Sequence, residues 1–166
     1  MKSVVILCDG AFPRKAYPLY LLEHADAVVC CDGAVLKYLR RYGPDRLPDA
    51  VVGDMDSLSA AWKERLAPLL VPISEQDDND MTKAMRFVLE HYPDATEIHL
   101  LGATGLREDH TVANLGLLME YTRLSTSATS GWTWFPTFPR RSPSRTAASC
   151  TLAKAAGSPS FPPTTP

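Results

Sequence analysis

A doubly wound α/β fold is predicted by three features of the sequence. Short apolar runs rich in β-branched residues recur along it, segments with apolar residues at helical spacing lie between them, and a polar loop containing Gly or Asp follows most runs. Continuous rather than alternating apolarity marks strands covered on both faces. Five such runs alternating with helical segments imply a mostly parallel sheet of about five strands.

The elements follow in order. Ser3–Cys8 is a buried strand ending at Asp9-Gly10, and Tyr17–His24 allows a short helix through Leu19 and Leu22. Ala27–Cys31 is the second strand, closed by Asp32-Gly33. Val35, Leu36, Leu39 and Tyr42 then repeat at helical spacing up to the stop signal Gly43-Pro44. Ala50–Val52 is the third strand, after which Ser59 can cap a helix through Trp62 and Leu66. Leu69–Ile73 is the fourth, and Pro72 restricts it to an edge or an early end because proline lacks the N–H a central strand needs. A helix through Met81, Ala84, Met85, Val88 and Leu89 leads to the fifth strand, Glu97–Leu101. Asp109 or Thr111 opens a last helix carrying Val112, Leu115, Leu118 and Met119.

The pattern stops after Tyr121. Residues 123–166 hold seven of the chain's 14 prolines and sixteen Ser or Thr, a composition that buries too little apolar surface to offset its ordering entropy. Charge divides at the same place: all 19 acidic residues lie at or before Glu120, against five basic and no acidic residues in 121–166. The expected division is therefore an α/β domain at 1–121 and an irregular, disordered tail at 122–166. A net charge of −2 favours no nucleic-acid partner. Cys8, Cys30 and Cys31 sit in apolar runs without C-x-x-C spacing and read as small buried hydrophobes. With no signal-peptide core or membrane-length segment, the expected location is cytoplasmic.

Polar residues collect after the strands, at the edge where open α/β sheets bind ligands. In Gly53-Asp54-Met55-Asp56-Ser57, an extended chain would send Asp54 and Asp56 to one side, as a pair of carboxylates for a hard cation such as Mg²⁺. A plain polar turn accounts for the same residues. Asp77 and Asp80 stand at a helix start, where the macrodipole favours negative groups and capping alone explains them. Lys83 either pairs with Asp80 as a surface ion pair or reaches a phosphate. Arg107, in a glycine-bearing loop, suits phosphoryl oxygens through its planar fork. His110 is a base or a structural contact beside Asp109, and Asn114 is expected to face solvent. Neither G-x-x-x-x-G-K-[ST] nor G-x-G-x-x-G is present, so a bound nucleotide would rely on metal and Arg or Lys contacts.

Four motifs in order resemble thiamine pyrophosphokinase: Cys31-Asp32-Gly33-Ala34; Gly53–Ser57 as G-D-x-D-S; Glu75–Ala84 against D-Q-D-x-T-D-x-x-K-A, with Glu75 and Asn79 departing; and Gly102 with Arg107-Glu108-Asp109-His110 and Asn114. The resemblance implies Mg²⁺-dependent transfer of diphosphate from ATP to the hydroxyl of thiamine, leaving AMP. It implies Asp54, Asp56 and Asp77 on the metal, Asp80 on the thiamine hydroxyl, and Lys83 and Arg107 on phosphates. Asp32, Gly33, Ser57, Gln76, Asp77, Gly102, Asp109, His110 and Asn114 would line the ATP side. Members continue into a β-sandwich domain that helps form the thiamine pocket, often across a homodimer. No such pattern follows Tyr121, and the break resembles a reading-frame change in the gene or an artefact of gene prediction, so ATP–Mg²⁺ binding is expected ahead of turnover. Two other readings use the same carboxylates: a metal-dependent phosphohydrolase or nucleotidyltransferase, and a non-catalytic nucleotide-binding module.

Overall fold

The computed structural model describes residues 2–127, 132–136 and 150–154. Seven strands form one sheet in the order β4-β3-β2-β1-β5-β7-β6. Five are parallel: β1 (Ser3–Leu7), β2 (Ala27–Cys31), β3 (Ala50–Gly53), β4 (Leu70–Pro72) and β5 (Glu97–Leu101). The helices are α1 (Ala16–His24), α2 (Ala34–Tyr42), α3 (Ala60–Leu66), α4 (Asp80–His91) and α5 (Glu108–Ser127). Pro72 sits at the end of the outer strand β4, opposite Gly53, where its missing N–H costs no central ladder bond.

Alternation along each strand divides the core. Val4, Ile6, Val29, Val52, Ile98 and Leu100 face α4 and Leu118 of α5. Val5, Leu7, Val28, Cys30 and Val51 face α1, α2 and α3. Connectivity explains the split: β1 to β4 step outward in one direction, whereas β4 to β5 returns past β1. Crossovers keep one hand, so reversing direction moves the connecting helix to the other face. The chain therefore reverses between β1 and β5, and their following loops meet there. Gly43 (φ 88°) ends α2 with its N–H on Leu39 O at 2.8 Å, as its stop signal implies. Ser59 occupies the cap position of α3, but its side chain makes no capping hydrogen bond.

The tail departs from expectation in two stretches. β7 (Cys150–Lys154) pairs antiparallel with β5, and β6 (Trp132–Pro136) pairs antiparallel with β7. Trp132, Thr133, Trp134 and Phe135 are strong strand formers, and the open edge of β5 supplies unpaired backbone groups. Window composition across 123–166 masks such a short local preference. Helix α5 also continues past Tyr121 to Ser127. The remainder of the expected disordered tail lies outside the described residues. No described helix is long and apolar enough to cross a membrane.

The loops after β1 and β5 approach so closely that glycine is required. Gly10 N donates to Gly102 O at 2.7 Å, and a Cβ on Gly10 would lie 2.2 Å from that oxygen. Gly10→Ala should therefore destabilise the fold by about 2–4 kcal/mol. Urea unfolding with an unchanged m-value reads this loss, and a midpoint equal to wild type would contradict the close approach.

Candidate functional site

At the carboxyl ends of the parallel strands, beside the reversal between β1 and β5, lies a cleft of about 720 Å³. That volume is typical of small-molecule sites. The first wall is the loop after β3. Met55 there adopts φ 66°, the one non-glycine residue with positive φ among those described. This left-handed step turns the chain, so the extended geometry expected for Asp54 and Asp56 does not occur. Asp54 instead folds back, its Oδ1 accepting from the Asp56 N–H at 3.1 Å. Asp54 lines the cleft, whereas Asp56 is exposed and does not.

Asp32 supports this wall from behind. It is 3% exposed, and Oδ2 accepts from Ser57 N at 3.0 Å, while Oδ1 is buried without a hydrogen-bond partner. Asp32 stands behind the cleft lining, and its carboxylate braces the turn that presents Asp54 and Ser57. Gly33 stands behind the same turn, where a Cβ would lie 3.1 Å from both Asp9 Oδ2 and the Ser57 Cβ.

The second wall is the acidic loop and the start of α4. Gln76, Asp77, Asp78, Asp80 and Lys83 all line the cleft. Lys83 is not the surface residue that one expectation allowed: it is 2% exposed, with Nζ 3.6 Å from Asp80 Oδ1. Asp80 approaches Asp32 across Gly53, where an added Cβ would lie 2.9 Å from the Asp32 Cβ and 3.2 Å from Asp80 Oδ1. Burial raises the Asp80 pKa above the ordinary carboxylate value; Lys83 opposes the rise, and the charges of Asp54 and Asp32 add to it. Asp78 is held by Arg86 on the outside of α4.

The third wall is the glycine loop and the start of α5, contributing Gly102, Arg107, His110 and Asn114. Arg107 is exposed and bound through two nitrogens to Asp109. That pairing lowers the Asp109 pKa to about 2. Asn114 does not face solvent as expected. It is buried, with Nδ2 donating to Ala103 O at 2.7 Å and Oδ1 accepting from Asn79 Nδ2 at 3.0 Å. Asn79 Oδ1 also caps α4 by accepting from Thr82 N at 2.9 Å. One side-chain relay thus ties the acidic loop to the glycine loop.

Among the described residues no group of three or more His, Cys, Asp or Glu is placed to hold a metal ion. The expected trio Asp54, Asp56 and Asp77 is therefore not assembled, for the turn at Met55 removes Asp56. The donors that remain on the cleft, Asp54 and Asp77, are hard oxygen ligands. They suit Mg²⁺ in the form that uses one or two carboxylates and takes its other ligands from water and phosphate.

Sequence reasoning missed Asp9 and Gly10, which line the cleft after β1. Lys37 of α2 holds them, with Nζ 2.7 Å from Asp9 Oδ1 and donating to Asp9 O at 2.6 Å and Gly10 O at 2.9 Å. The signal was present: Asp9-Gly10 ends β1 as Asp32-Gly33 ends β2. The Asn79–Asn114 relay makes its own prediction. Each Asn→Ala change should cost about 1–3 kcal/mol. A double-mutant cycle should return a coupling of at least about 0.5 kcal/mol, and strict additivity of unfolding free energies would contradict the relay.

Comparison with known proteins now adds to this geometry. A family model described as "Thiamin pyrophosphokinase, catalytic domain" matches residues 19–129. The chain is 31% identical over 140 residues to "Thiamine pyrophosphokinase 1" of Oryza sativa subsp. japonica, covering 72% of this chain and 52% of the relative. It is 37% identical over 76 residues to "Thiamine pyrophosphokinase" of Bacillus subtilis (strain 168), covering 43% and 35%. Among solved structures, yeast thiamin pyrophosphokinase superposes with a TM-score of 0.61 at 19% identity, covering 75% of this chain and 56% of that one. A thiamin pyrophosphokinase family protein from Enterococcus faecalis gives 0.59 at 20% identity, covering 94% and 95%. These structures share the fold. The chain spans about half the length of the rice and Caenorhabditis elegans relatives it matches. With a family model matched over most of its length, the chain belongs to the thiamin pyrophosphokinase family through that family's catalytic domain.

Proposed function

We propose that this chain carries the ATP-binding half of a thiamine diphosphokinase, which moves diphosphate from ATP to the hydroxyl of thiamine and releases AMP. The observation that carries this reading is the meeting of Asp54, Asp77 and Asp80 with Lys83 and Arg107 around one cleft at the switch point of the sheet. Residues 1–121 form the catalytic unit in this proposal, and α5 closes it.

Asp54 and Asp77 would hold Mg²⁺ together with the phosphates of ATP. When bound, the ion supplies charge neutralisation on the transferred group. Lys83, already among carboxylates, faces the cleft as a fixed positive charge. Arg107 must leave Asp109 to bind phosphate, so the exposed pair acts as a competitor that a phosphoryl dianion displaces. Ser57, Gln76 and His110 line the nucleotide side, while Asp32 and Asn114 hold the walls in place.

Asp80 is the group suited to the thiamine hydroxyl. Its raised pKa makes it a better proton acceptor than an ordinary surface carboxylate. In the transfer, the hydroxyl oxygen bonds to the β-phosphorus and the bond from that phosphorus to the oxygen bridging the α-phosphate breaks. The hydroxyl proton passes to Asp80, and AMP leaves with the bridging oxygen. Three buried free thiols, Cys8, Cys30 and Cys31, fit a reducing, cytoplasmic setting. A homodimer is carried into the proposal by the family alone.

The test is AMP formation from ATP and Mg²⁺, with and without thiamine. Thiamine-dependent AMP is the expected result. Phosphate release that ignores thiamine would instead favour the hydrolase reading, and Mg²⁺-dependent ATP binding without any product would favour a binding module. Asp80→Asn should lower kcat by about 10²–10⁴-fold while ATP affinity changes little. Loss of ATP affinity with kcat intact would overturn the role given to Asp80.

A further inference from the structure

The cleft has a feature that phosphate chemistry does not use. Cys8, just past β1, and Cys31, at the end of β2, both line it. They lie on adjacent strands whose pairing ends one residue earlier, at Leu7 opposite Cys30. Their sulfurs stand 4.0 Å apart, and both thiols are free. Cys31 Sγ also lies 3.5 Å from the backbone oxygen of Asp80. A covalent S–S bond is about 2.05 Å, so the pair is a reduced dithiol set into the cleft wall beside the first residue of α4.

We propose that Cys8 and Cys31 form a dithiol site for monosubstituted trivalent arsenicals. The class of ligand follows from the number of donors. A zinc ion needs three or four protein ligands, and no group of three or more His, Cys, Asp or Glu is placed to supply them among the described residues. An organoarsenic(III) centre carries one carbon and offers two exchangeable positions, so two sulfurs complete it. The cleft gives the organic substituent room. The reaction balances without a redox partner: RAs(OH)₂ and two thiols give RAs(S–Cys)₂ and two waters. Two As–S bonds form and two As–O bonds break, while each thiol proton leaves with a hydroxide. Cys31 has its pKa raised by its hydrogen bond to Cys8 and by burial. Cys8 and Cys31 are 6% and 2% exposed, at the cleft end of the core cluster under α4, whereas Cys30 is fully buried and packs into the opposite face of the sheet with α1, α2 and α3. Cys150 lies on β7.

Intact-mass spectrometry of the folded full chain with phenylarsonous acid tests the site, and it does not depend on diphosphate transfer. The expected product is one arsenical per chain with both hydroxides lost, mapped to the peptides holding Cys8 and Cys31. Cys8→Ala and Cys31→Ala should each weaken the adduct by about 10²-fold, because the second bond then loses its intramolecular advantage. Cys30→Ala and Cys150→Ala should leave it unchanged. Alanine keeps the buried positions apolar, and far-ultraviolet circular dichroism checks that each variant folds. No adduct on the folded wild type, an adduct mapped to Cys30 or Cys150, or full affinity in Cys8→Ala would each overturn the assignment.

Discussion

Two carboxylates crowd around one glycine, a third follows on the next residue, and a single buried ammonium stands beside them. Asp32 and Asp80 close over Gly53, where any side chain would collide with them. The charge of Asp54 reaches Asp80 from the same loop. Like charges at this range oppose one another, and burial makes the opposition costly unless a cation answers it. Lys83, 2% exposed, supplies one positive charge for three negative ones. The folded chain thus gathers an excess of carboxylates at the carboxyl edge of its sheet, and the proposed entry of a divalent ion with phosphates rests on that excess.

The sheet makes this crowding possible. Strands buried on both faces fix the positions at which β2 and β3 end, and α4 packs Met81, Ala84, Met85 and Val88 into one of those faces. Asp80 and Lys83 begin that same helix, so the packing that anchors α4 also sets their placement. On the other side of the cleft, the relay from Asn79 through Asn114 to Ala103 O joins the acidic loop to the glycine loop. Its groups are neutral, so it holds two walls together without adding to the charge between them.

Much of the frame was legible in the sequence. Doubly buried strands show as continuous apolar runs, and Pro72 identified its edge. The gathering of polar loops at one rim was readable for the same reason, since it follows from strand direction alone. What escaped was local backbone conformation and long-range partnering. Spacing of two places Asp54 and Asp56 together only if the chain between them is extended, and Met55 at φ 66° is not. Asn114 looked like a surface residue because its partners, Asn79 and Ala103, are distant in sequence. Lys83 was open to a surface pairing with Asp80 or to a phosphate, because spacing gives its neighbour on the helix but not the burial of that helix face. The strands β6 and β7 escaped because a Ser-, Thr- and Pro-rich background concealed five-residue stretches that the open edge of β5 could recruit.

The central claim is that two cleft carboxylates bind a divalent ion only together with the phosphates of ATP. Water-proton relaxation with Mn²⁺ in place of Mg²⁺ tests it most directly, in the wild type and in Asp54→Ala. Strong relaxation enhancement in the wild type only when ATP is present, and none in the variant, is the predicted result. Tight Mn²⁺ binding without nucleotide, or equal enhancement in Asp54→Ala, would contradict the account.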